Sequence, residues 1–323
     1  MSETWVWDRY WQYDRIASCF DGAGAGNYDE CVAAGWRTFF SGLPSNARIL
    51  DLCTGNGAIA LIAAGIGRTE GKNFAITAVD QADIDPPSHV TRHRGEMASI
   101  RFMGRTNVEK LPFEDDSFDV AVSQYGVEYS RLESALSEVA RVVAPGGQVR
   151  FVVHASDGII ATAARTVIGD ADQLLGNIDL IGATRRCLDA VGLVEGGDSS
   201  ADARTQADGA VADFKAALRR TANHVPNAVD KMMFSNSAGV MLNVFQARHS
   251  VGRDAIVAKI DHVEAEILAH RGRLQALVDS ALDRAGAEGL TEQLRAAGAV
   301  KAECRPLGNG TGLIGYEVTA RFA

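Results

Sequence analysis

A short segment with two glycines, 51–57, carries the residue types of a nucleotide-binding turn. It reads Asp-Leu-Cys-Thr-Gly-Asn-Gly and lies where the apolar run 48–53 leads into a predicted helix, 58–64. Glycine lets the backbone turn sharply and approach a ligand, and the start of a helix offers free N–H groups to negative or polar atoms. Any tight turn between a strand and a helix also favours glycine, so turn geometry alone would explain the segment as well.

The next acidic residue at a strand end is Asp80, which follows the predicted strand 74–79. A carboxylate there can accept hydrogen bonds from both ribose hydroxyls of an adenosine, although a plain surface aspartate fits the position equally well. The loop before it is not G-x-G-x-x-G, since Cys53 and Ala60 stand at glycine positions, and no lysine follows at phosphate-binding spacing. The pattern favours a nucleoside with a small zwitterionic tail over a pyrophosphate.

Further motifs follow in order along the chain. Residues 106–120 read TNVEKLPFEDDSFDV, Ser123 ends the next apolar run, and 141–147 read RVVAPGG. Together with 51–57 and Asp80, they resemble the class I S-adenosylmethionine-dependent methyltransferase family, in its ubiquinone/menaquinone-biosynthesis-like branch. That family carries an acidic-L-G-C-G-T-G loop, an acidic ribose ligand, a D-A-E-x-L-P-F segment followed by S-F-D, and R-V-L-x-P-G-G.

The resemblance implies S-adenosyl-L-methionine as cofactor, S-adenosyl-L-homocysteine as product, and a set of residues around them. These are Asp51, Cys53, Thr54, Gly55, Asn56, Gly57, Asp80, Gln81, Asn107, Val108, Ser123, Gln124 and Tyr125. The loop would border the methionine part. Asp80 would hold the ribose with Gln81 beside the adenine, and Asn107 and Val108 would bracket the adenine edge. Residues 123–125 would lie under the sulfonium, facing the substrate.

Two positions depart from the family pattern. Cys53 replaces the usual first glycine of the loop, and Asn107 replaces the usual aspartate. Asparagine keeps a carbonyl acceptor for the adenine amino group but loses the charge. The resemblance covers residues 45–155 and 288–323, the second stretch being similar to the family's last helix and final strands.

Methyl transfer from a sulfonium is an in-line displacement, so the main task of the protein is alignment. An oxygen or nitrogen nucleophile can also need a base, for which the candidates near the strand ends are His154, Glu128 and Tyr129. His154 is the best placed, just after the fifth strand, although a structural, hydrogen-bonded histidine is the commoner explanation. A carbon nucleophile could require no single strong base, and the sequence does not choose between these cases.

The N-terminal region, 1–44, is predicted to be a helical lid. Residues 3–20 form an aromatic-rich helix, a glycine-rich break follows at 21–26, and a second helix covers 28–40. The aromatic candidates for substrate contact are Tyr10, Trp11 and Tyr13. They could also pack the helix onto the sheet, but their positions on different faces favour the lid.

Strand and helix patterns alternate through 45–156 and resume at 287–323, which predicts an α/β fold. We expect a doubly wound, seven-stranded, Rossmann-like methyltransferase sheet with an inserted helical subdomain. The insertion, 157–286, contains no strand pattern and is far longer than an ordinary crossover, so it is expected to cap the substrate, to form a dimer, or both. Within it, 195–208 is predicted to be a loop because of its Gly, Ser and Asp content.

A seam of apolar residues spaced alternately four and three apart runs along the last helix of the insertion. Its members are Ile256, Ile260, Val263, Ile267, His270, Leu274, Leu277 and Ala281. The spacing suits an internal helix pair or a homodimer contact equally, and His270 is expected to be a core or interface histidine, not a metal ligand.

The composition is that of a globular protein, with 323 residues, 46% of them hydrophobic and 23% charged. A net charge of −9 disfavours nucleic acid as the main partner and favours a small molecule. No run reaches the apolar length of a membrane span, no secretory signal is recognisable, and the five cysteines lack disulfide or metal spacing. A cytoplasmic location without a bound metal is expected.

The sequence therefore predicts a methyltransferase acting on a small organic molecule. Three alternatives stay open: an enzyme that uses the same cofactor for another reaction, a methyltransferase acting on a macromolecule, and a non-catalytic scaffold or assembly module that keeps the same fold.

Overall fold

A computed structural model of the chain describes residues 5–18 and 26–323, with the backbone alone for residue 5. The chain divides into two compact units, one made of Met1–Thr162 with Ala276–Ala323 and the other of Ala163–Gln275. In the described part of the chain, no helix is long and apolar enough to cross a membrane.

The first unit is built on a seven-stranded sheet. Its strands are β1 (Arg48–Leu52), β2 (Ala75–Val79), β3 (Ile100–Met103), β4 (Phe118–Gln124), β5 (Val143–Val153), β6 (Ala299–Gly308) and β7 (Leu313–Phe322). The spatial order is β3-β2-β1-β4-β5-β7-β6. Strands β1 to β5 are parallel, whereas β7 runs antiparallel to both of its neighbours. The predicted α/β, seven-stranded sheet is confirmed.

The described residues form twelve α-helices, numbered in chain order, besides short 3₁₀ and π segments. They are α1 (Trp5–Tyr10), α2 (Glu30–Ser41), α3 (Ala58–Glu70), α4 (Pro86–His89), α5 (Arg94–Met97), α6 (Leu132–Val142), α7 (Ile159–Asp172), α8 (Leu180–Glu195), α9 (Ala201–His224), α10 (Lys231–Gln246), α11 (Arg253–Ser280) and α12 (Arg284–Ala296).

Helices cover both faces of the sheet. Side chains of α2, α3 and α5 pack on one face, and those of α6 and α12 pack on the other. Strands covered on both faces have no wet side, so consecutive residues such as Ile49 and Leu50 are both fully buried. This explains why the strands read as continuous apolar runs and not as alternating ones.

The first predicted helix, 3–20, is longer than the helix that the structure shows. Helix α1 ends at Tyr10, and residues 11–18 continue as turns and bends. Residues 19 and 20 of the predicted helix, and nearly all of the glycine-rich break, lie outside the described residues. The second predicted helix is present as α2.

The Pro-Gly-Gly segment, 145–147, lies within β5 and does not separate this strand from α6. Strand β5 already begins at Val143, directly after α6, and the pairing of β4 with β5 shifts register between Phe118 and Val120. The irregular strand thus absorbs Pro145, which has no N–H to give to a regular ladder.

The last helix starts before residue 288, where the stretch that resembles the family's last helix and final strands begins. Helix α12 begins at Arg284, because the Asp283 carboxylate caps it by accepting the backbone N–H of Gly286 at 2.7 Å.

The second unit is helical, and its described residues contain no strand. It lies inside the predicted insertion 157–286, whose outer residues group with the sheet unit.

The prediction of a loop at 195–208 is wrong for most of that range, because α9 begins at Ala201. The Ser200 hydroxyl accepts the backbone N–H of Ala203 at 3.2 Å, and this cap outweighs the cost of Gly209 within the helix.

The apolar seam of α11 packs inside its own unit. Ile256, Ile260 and Ile267 are buried in one core with residues of α8, α9 and α10, including Phe214 and Phe234. Of the two alternatives from the sequence, the structure therefore supports internal helix packing for this part of the seam.

Truncation of the seam should destabilise the second unit. Ile260 is 1% exposed, whereas Val257, on the same helix, is 42% exposed. We expect Ile260→Ala to lower the free energy of unfolding by about 2–5 kcal/mol, since it opens a cavity. The matched change Val257→Ala should cost about 0.5 kcal/mol or less. Denaturant titration followed by circular dichroism measures both, and equal losses would contradict the internal packing of the seam.

Candidate active site

The first unit contains a cavity of about 290 Å³ where β1, β2 and β4 end. The carboxyl ends of parallel strands meet at one edge of a sheet, so residues distant in sequence converge there. The predicted site residues that line it are Trp11, Asp51, Cys53, Thr54, Asp80, Gln81, Val108, Gln124, Tyr125 and Tyr129.

Asp51 fixes the turn between β1 and α3. Its Oδ2 accepts the Thr54 hydroxyl at 2.6 Å and the backbone N–H of Ala60 at 3.1 Å. Burial raises the pKa of this carboxyl from 3.8 to about 7, although both hydrogen bonds oppose the rise. A ligand with a positive charge would favour the ionised form.

Asp80 connects the loops that follow β1 and β2. Its two oxygens accept the backbone N–H groups of Gly55 and Ala82, each at 2.8 Å. Burial raises its pKa from 3.8 to about 6. Each oxygen still has a lone pair, so the carboxylate can accept further hydrogen bonds from a ligand in the cavity.

Cys53 occupies a backbone conformation that favours glycine. Its φ is +54°, and an added Cβ on Gly126 would overlap the Cys53 side chain. The positive φ explains why glycine is usual at position 53 in the family that the sequence resembles. Burial raises the pKa of the thiol well above its ordinary value, so Cys53 remains a neutral part of the wall.

The rest of the loop shapes the cavity without lining it. Asn56 is fully buried, and its Nδ2 donates to the carbonyl oxygens of Trp11 at 3.1 Å and of Arg15 at 2.8 Å. Gly55 has a φ of +53°, and a Cβ there would overlap the Trp11 ring. Gly57 also has a positive φ. Asn56 and Gly55 thus hold the N-terminal segment over the strand ends.

Of the three aromatic residues predicted to contact substrate, one lines the cavity and two do not. Trp11 lines the cavity, as does Trp7, which stacks on it with ring centroids 6.3 Å apart. Tyr10 and Tyr13 do not line it: the Arg15 guanidinium lies 4.1 Å from the centre of the Tyr10 ring, and Tyr13 is 39% exposed. The Trp11 placement agrees with a lid, whereas the two tyrosines contact other parts of the N-terminal segment.

Besides Gly55, Asn56 and Gly57, two further residues predicted to touch the cofactor do not line the cavity. Ser123 is buried, donating its hydroxyl to the Leu52 carbonyl and accepting the backbone N–H of Val127, both at 3.1 Å. Asn107 is exposed, and its Oδ1 accepts the backbone N–H of Glu109 at 2.8 Å. The asparagine carbonyl thus already serves its own turn, and at this edge Val108 is the residue that faces the cavity.

The three predicted base candidates lie in two different places, two of them buried behind the cavity wall and one on it. His154 and Glu128 form a buried pair, with 2.8 Å between Nδ1 and Oε1, and neither lines the cavity. The imidazole stacks on Tyr125, with ring centroids 4.2 Å apart, and meets Tyr129 edge-on at 6.1 Å. Tyr129 alone of the three predicted bases reaches the cavity wall.

Several wall residues were not anticipated from the sequence as site residues. They are Trp7, Ile16, Ser18, Tyr28, Ala58, Ile59, Ala82, Gly126, Ser130, Ala276 and Ser280. The aromatic content of the N-terminal segment was a signal for Trp7. Ala276 and Ser280, near the end of α11, had none, because only the tertiary fold brings them to the strand ends. Among residues 5–18 and 26–323, no cluster of His, Cys, Asp and Glu could hold a metal ion.

Comparison with known proteins agrees with this arrangement. Residues 50–151 match the family described as "Methyltransferase domain". The chain is 31% identical to the ubiquinone/menaquinone biosynthesis C-methyltransferase UbiE of Azotobacter vinelandii, over 35% of this chain and 46% of that protein. It is 36% identical to UbiE of Geotalea daltonii, over 32% and 44% respectively. The chain thus spans less than half the length of these relatives.

A solved structure shows a partial likeness. The YcgJ protein of Bacillus subtilis is 26% identical, with a TM-score of 0.32, over 38% of this chain and 50% of that one. Residues 50–151 thus match a methyltransferase domain, and the sheet order and the strand-end cavity agree with the class I S-adenosylmethionine-dependent methyltransferase fold. The fold and cofactor class expected from the motifs are confirmed.

The raised carboxyl pKa values predict how stability depends on pH. Between about pH 4 and 7 the folded protein keeps protons on Asp51 and Asp80 that the unfolded chain has released. These two groups therefore make unfolding easier as the pH rises through that window. In Asp51→Asn one contribution is removed.

Raising the pH from 5 to 7 should therefore lower the free energy of unfolding more in the wild type than in Asp51→Asn. The difference should reach about 2 kcal/mol at most. Denaturant titrations of the ligand-free protein at both pH values measure it, with the exposed-site variant Asp83→Asn as control. Parallel pH profiles for wild type and Asp51→Asn would contradict the prediction.

Proposed function

We propose that the chain is an S-adenosylmethionine-dependent methyltransferase that methylates a small organic molecule. The observation that carries the proposal is the pair of buried carboxylates, Asp51 and Asp80, in one cavity with an aromatic wall. Ionised carboxylates are costly to bury without a cationic partner. S-adenosylmethionine would bring an ammonium and a sulfonium group to this cavity.

The contacts around the cavity suggest how the cofactor would lie. Asp80 would accept the ribose hydroxyls, since a carboxylate has about four lone-pair sites and backbone N–H groups occupy no more than three of them. Gln81 and Val108 would flank the adenine. Asp51 and the loop 53–57 would border the methionine part, next to the first turn of α3.

The bound cofactor supplies an electrophilic methyl carbon, and the protein holds the acceptor in line with it. The bond from the acceptor atom to the methyl carbon would form as the carbon–sulfur bond breaks, with sulfur keeping the electron pair. The Tyr129 hydroxyl oxygen, which belongs to the candidate base on the wall, would accept a hydrogen bond from an O–H or N–H acceptor and so orient it, and the proton released by the methylated atom would pass to solvent. The His154 ring, held by Glu128, would fix the orientation of the Tyr125 and Tyr129 rings, which it contacts on the side away from the cavity.

Two properties favour a small acceptor over a macromolecule. The cavity volume is close to the lower end of the range for small-molecule sites, about 300–1,000 Å³, and its wall is largely apolar and aromatic. The net charge of −9 also opposes nucleic acid as the acceptor. The unpaired Cys53, Cys187 and Cys304 support the cytoplasmic location that we propose with this function.

A homodimer through the helical unit remains part of the proposal, although not through the buried seam residues. Leu193, Val229 and Met232 are exposed apolar side chains of that unit, each at least 55% exposed. The role of the unit as a substrate cap is likewise proposed.

Removal of the Asp80 carboxylate should impair cofactor binding. We expect Asp80→Ala to weaken binding of both S-adenosylmethionine and S-adenosylhomocysteine by about 10- to 100-fold, the usual effect of losing charge-assisted hydrogen bonds. Asp83→Ala, at an exposed carboxylate three residues away, is the matched control and should bind as the wild type does. Calorimetry measures all three proteins. Absence of cofactor binding by the wild type would refute the proposed function.

The class of acceptor can be tested with methyl-labelled S-adenosylmethionine and an extract of the source organism, separated by size. We expect label in the low-molecular-mass fraction with the wild type and none with Asp80→Ala. Label confined to protein or nucleic acid would show a macromolecular acceptor. Cofactor binding without transfer to any fraction would support the scaffold alternative.

A further inference from the structure

Gln124 is a buried amide on the cavity wall. It is the last residue of β4 and is 6% exposed. In the register of β1 with β4, Asp51 pairs with Val122, so Gln124 lies two residues beyond that pair. This places it at the level of Cys53, in the part of the cavity between the loop after β1 and the segment after β4.

The orientation of this amide is set by a tryptophan behind the wall. The indole Nε1–H of Trp36 donates to Gln124 Oε1 at 2.6 Å. An indole N–H can only donate, so the amide oxygen must face Trp36 and the NH₂ group must face elsewhere. The contact thus settles which end of the amide is the oxygen.

Trp36 is itself held firmly. It is fully buried, and the Arg150 guanidinium lies 4.2 Å from the centre of its ring. Arg150 donates to the Gly35 carbonyl at 2.5 Å and pairs with Glu317 at 2.6 Å. Rotation of the Gln124 amide would therefore break its bond to an indole that cannot follow.

The Gln124 NH₂ group has no hydrogen-bond partner among residues 5–18 and 26–323. A buried donor without a partner costs free energy, which an acceptor atom on a bound molecule would recover. The neighbouring wall is apolar and aromatic, with Tyr28 and Tyr125 at a ring distance of 6.3 Å, and Ile59. A ligand there needs an apolar body with one hydrogen-bond-accepting atom.

We infer that Gln124 is a specificity-determining residue that donates a hydrogen bond to an oxygen of the methyl acceptor. The acceptor class is then a molecule with a ring or other apolar body and a carbonyl, hydroxyl or ether oxygen beside it. This inference rests on the proposed function. The cofactor carboxylate is the less suitable partner, since the first turn of α3, which begins at the cavity wall with Ala58, offers backbone N–H groups to it.

Matched probe pairs test the inference on the full-length protein saturated with S-adenosylhomocysteine. Acetophenone is compared with ethylbenzene, and 2-naphthol with naphthalene, by saturation-transfer NMR titration. We expect the wild type to bind each oxygen-bearing probe at least about fivefold more tightly than its hydrocarbon partner, as one neutral hydrogen bond allows. Gln124→Met should abolish this preference, because it keeps the length of the side chain and removes the donor.

Gln124→Glu is the second variant. It retains an oxygen for Trp36 and replaces the NH₂ group with oxygen. Its titrations are run at about pH 8, above the raised pKa values of the other two buried carboxyls of this cavity, so that the glutamate is ionised and cannot donate. Under that condition it should also lose the preference while remaining folded. Gln293→Met, at an exposed position of α12, is the matched control and should retain it. Thermal melts of all variants verify folding, and calorimetry should show S-adenosylhomocysteine affinity within about twofold of the wild type.

The outcomes separate the inference from the function beneath it. A wild type that fails to bind S-adenosylhomocysteine refutes both. Cofactor-product binding without any preference for the oxygen-bearing probes, or with a preference that survives in Gln124→Met, overturns the inference alone. A loss of S-adenosylhomocysteine affinity above about fivefold in both folded Gln124 variants shows that the amide binds the cofactor, which also overturns it.

Discussion

Two hydrogen bonds to one buried carboxylate hold the candidate site together. Asp80 accepts the N–H of Gly55 from the loop after β1 and the N–H of Ala82 from the segment after β2. The two loops cannot separate without leaving buried donors unpaired, which costs more than an ordinary surface bond. Asp51 has the same role within its own loop, where it holds the start of α3. The carboxylates therefore shape the cavity as well as giving it a negative character, and their raised pKa values reflect how little water surrounds them.

The same loop also positions the aromatic wall. Asn56 donates to backbone carbonyls of the N-terminal segment, and Gly55 provides the space in which the Trp11 ring lies. The loop that borders the proposed cofactor site and the segment that covers it are thus one packed structure. A side chain added at Gly55 would both strain the backbone and overlap the Trp11 ring, so the absence of a Cβ there serves two purposes.

The fold was predictable because its signals are local. The apolar runs, the turns and Asp80 each lie within a few residues of the feature that they define. The sequence-based predictions failed where a hydrogen bond, a helix cap or a packing contact determines the local structure. Asn107 has a carbonyl suited to adenine, but the backbone of its own turn uses it. A single N-cap at Ser200 extends α9 through a stretch whose composition is typical of loops. The burial of His154 and Glu128 behind Tyr125 depends on packing between elements, which residue spacing does not contain.

Only part of the cavity wall comes from the segment that the chain shares with its relatives. The carboxylates and the loop lie in residues 50–151, the segment shared with the methyltransferase-domain family. Trp7, Tyr28 and Trp36 come from the N-terminal region outside that segment. Through Trp36, this outer region controls the orientation of Gln124, which lies inside the shared segment. The cofactor class can therefore agree with the relatives while the proposed contact of Gln124 with a methyl acceptor depends on Trp36, to which the family match does not extend.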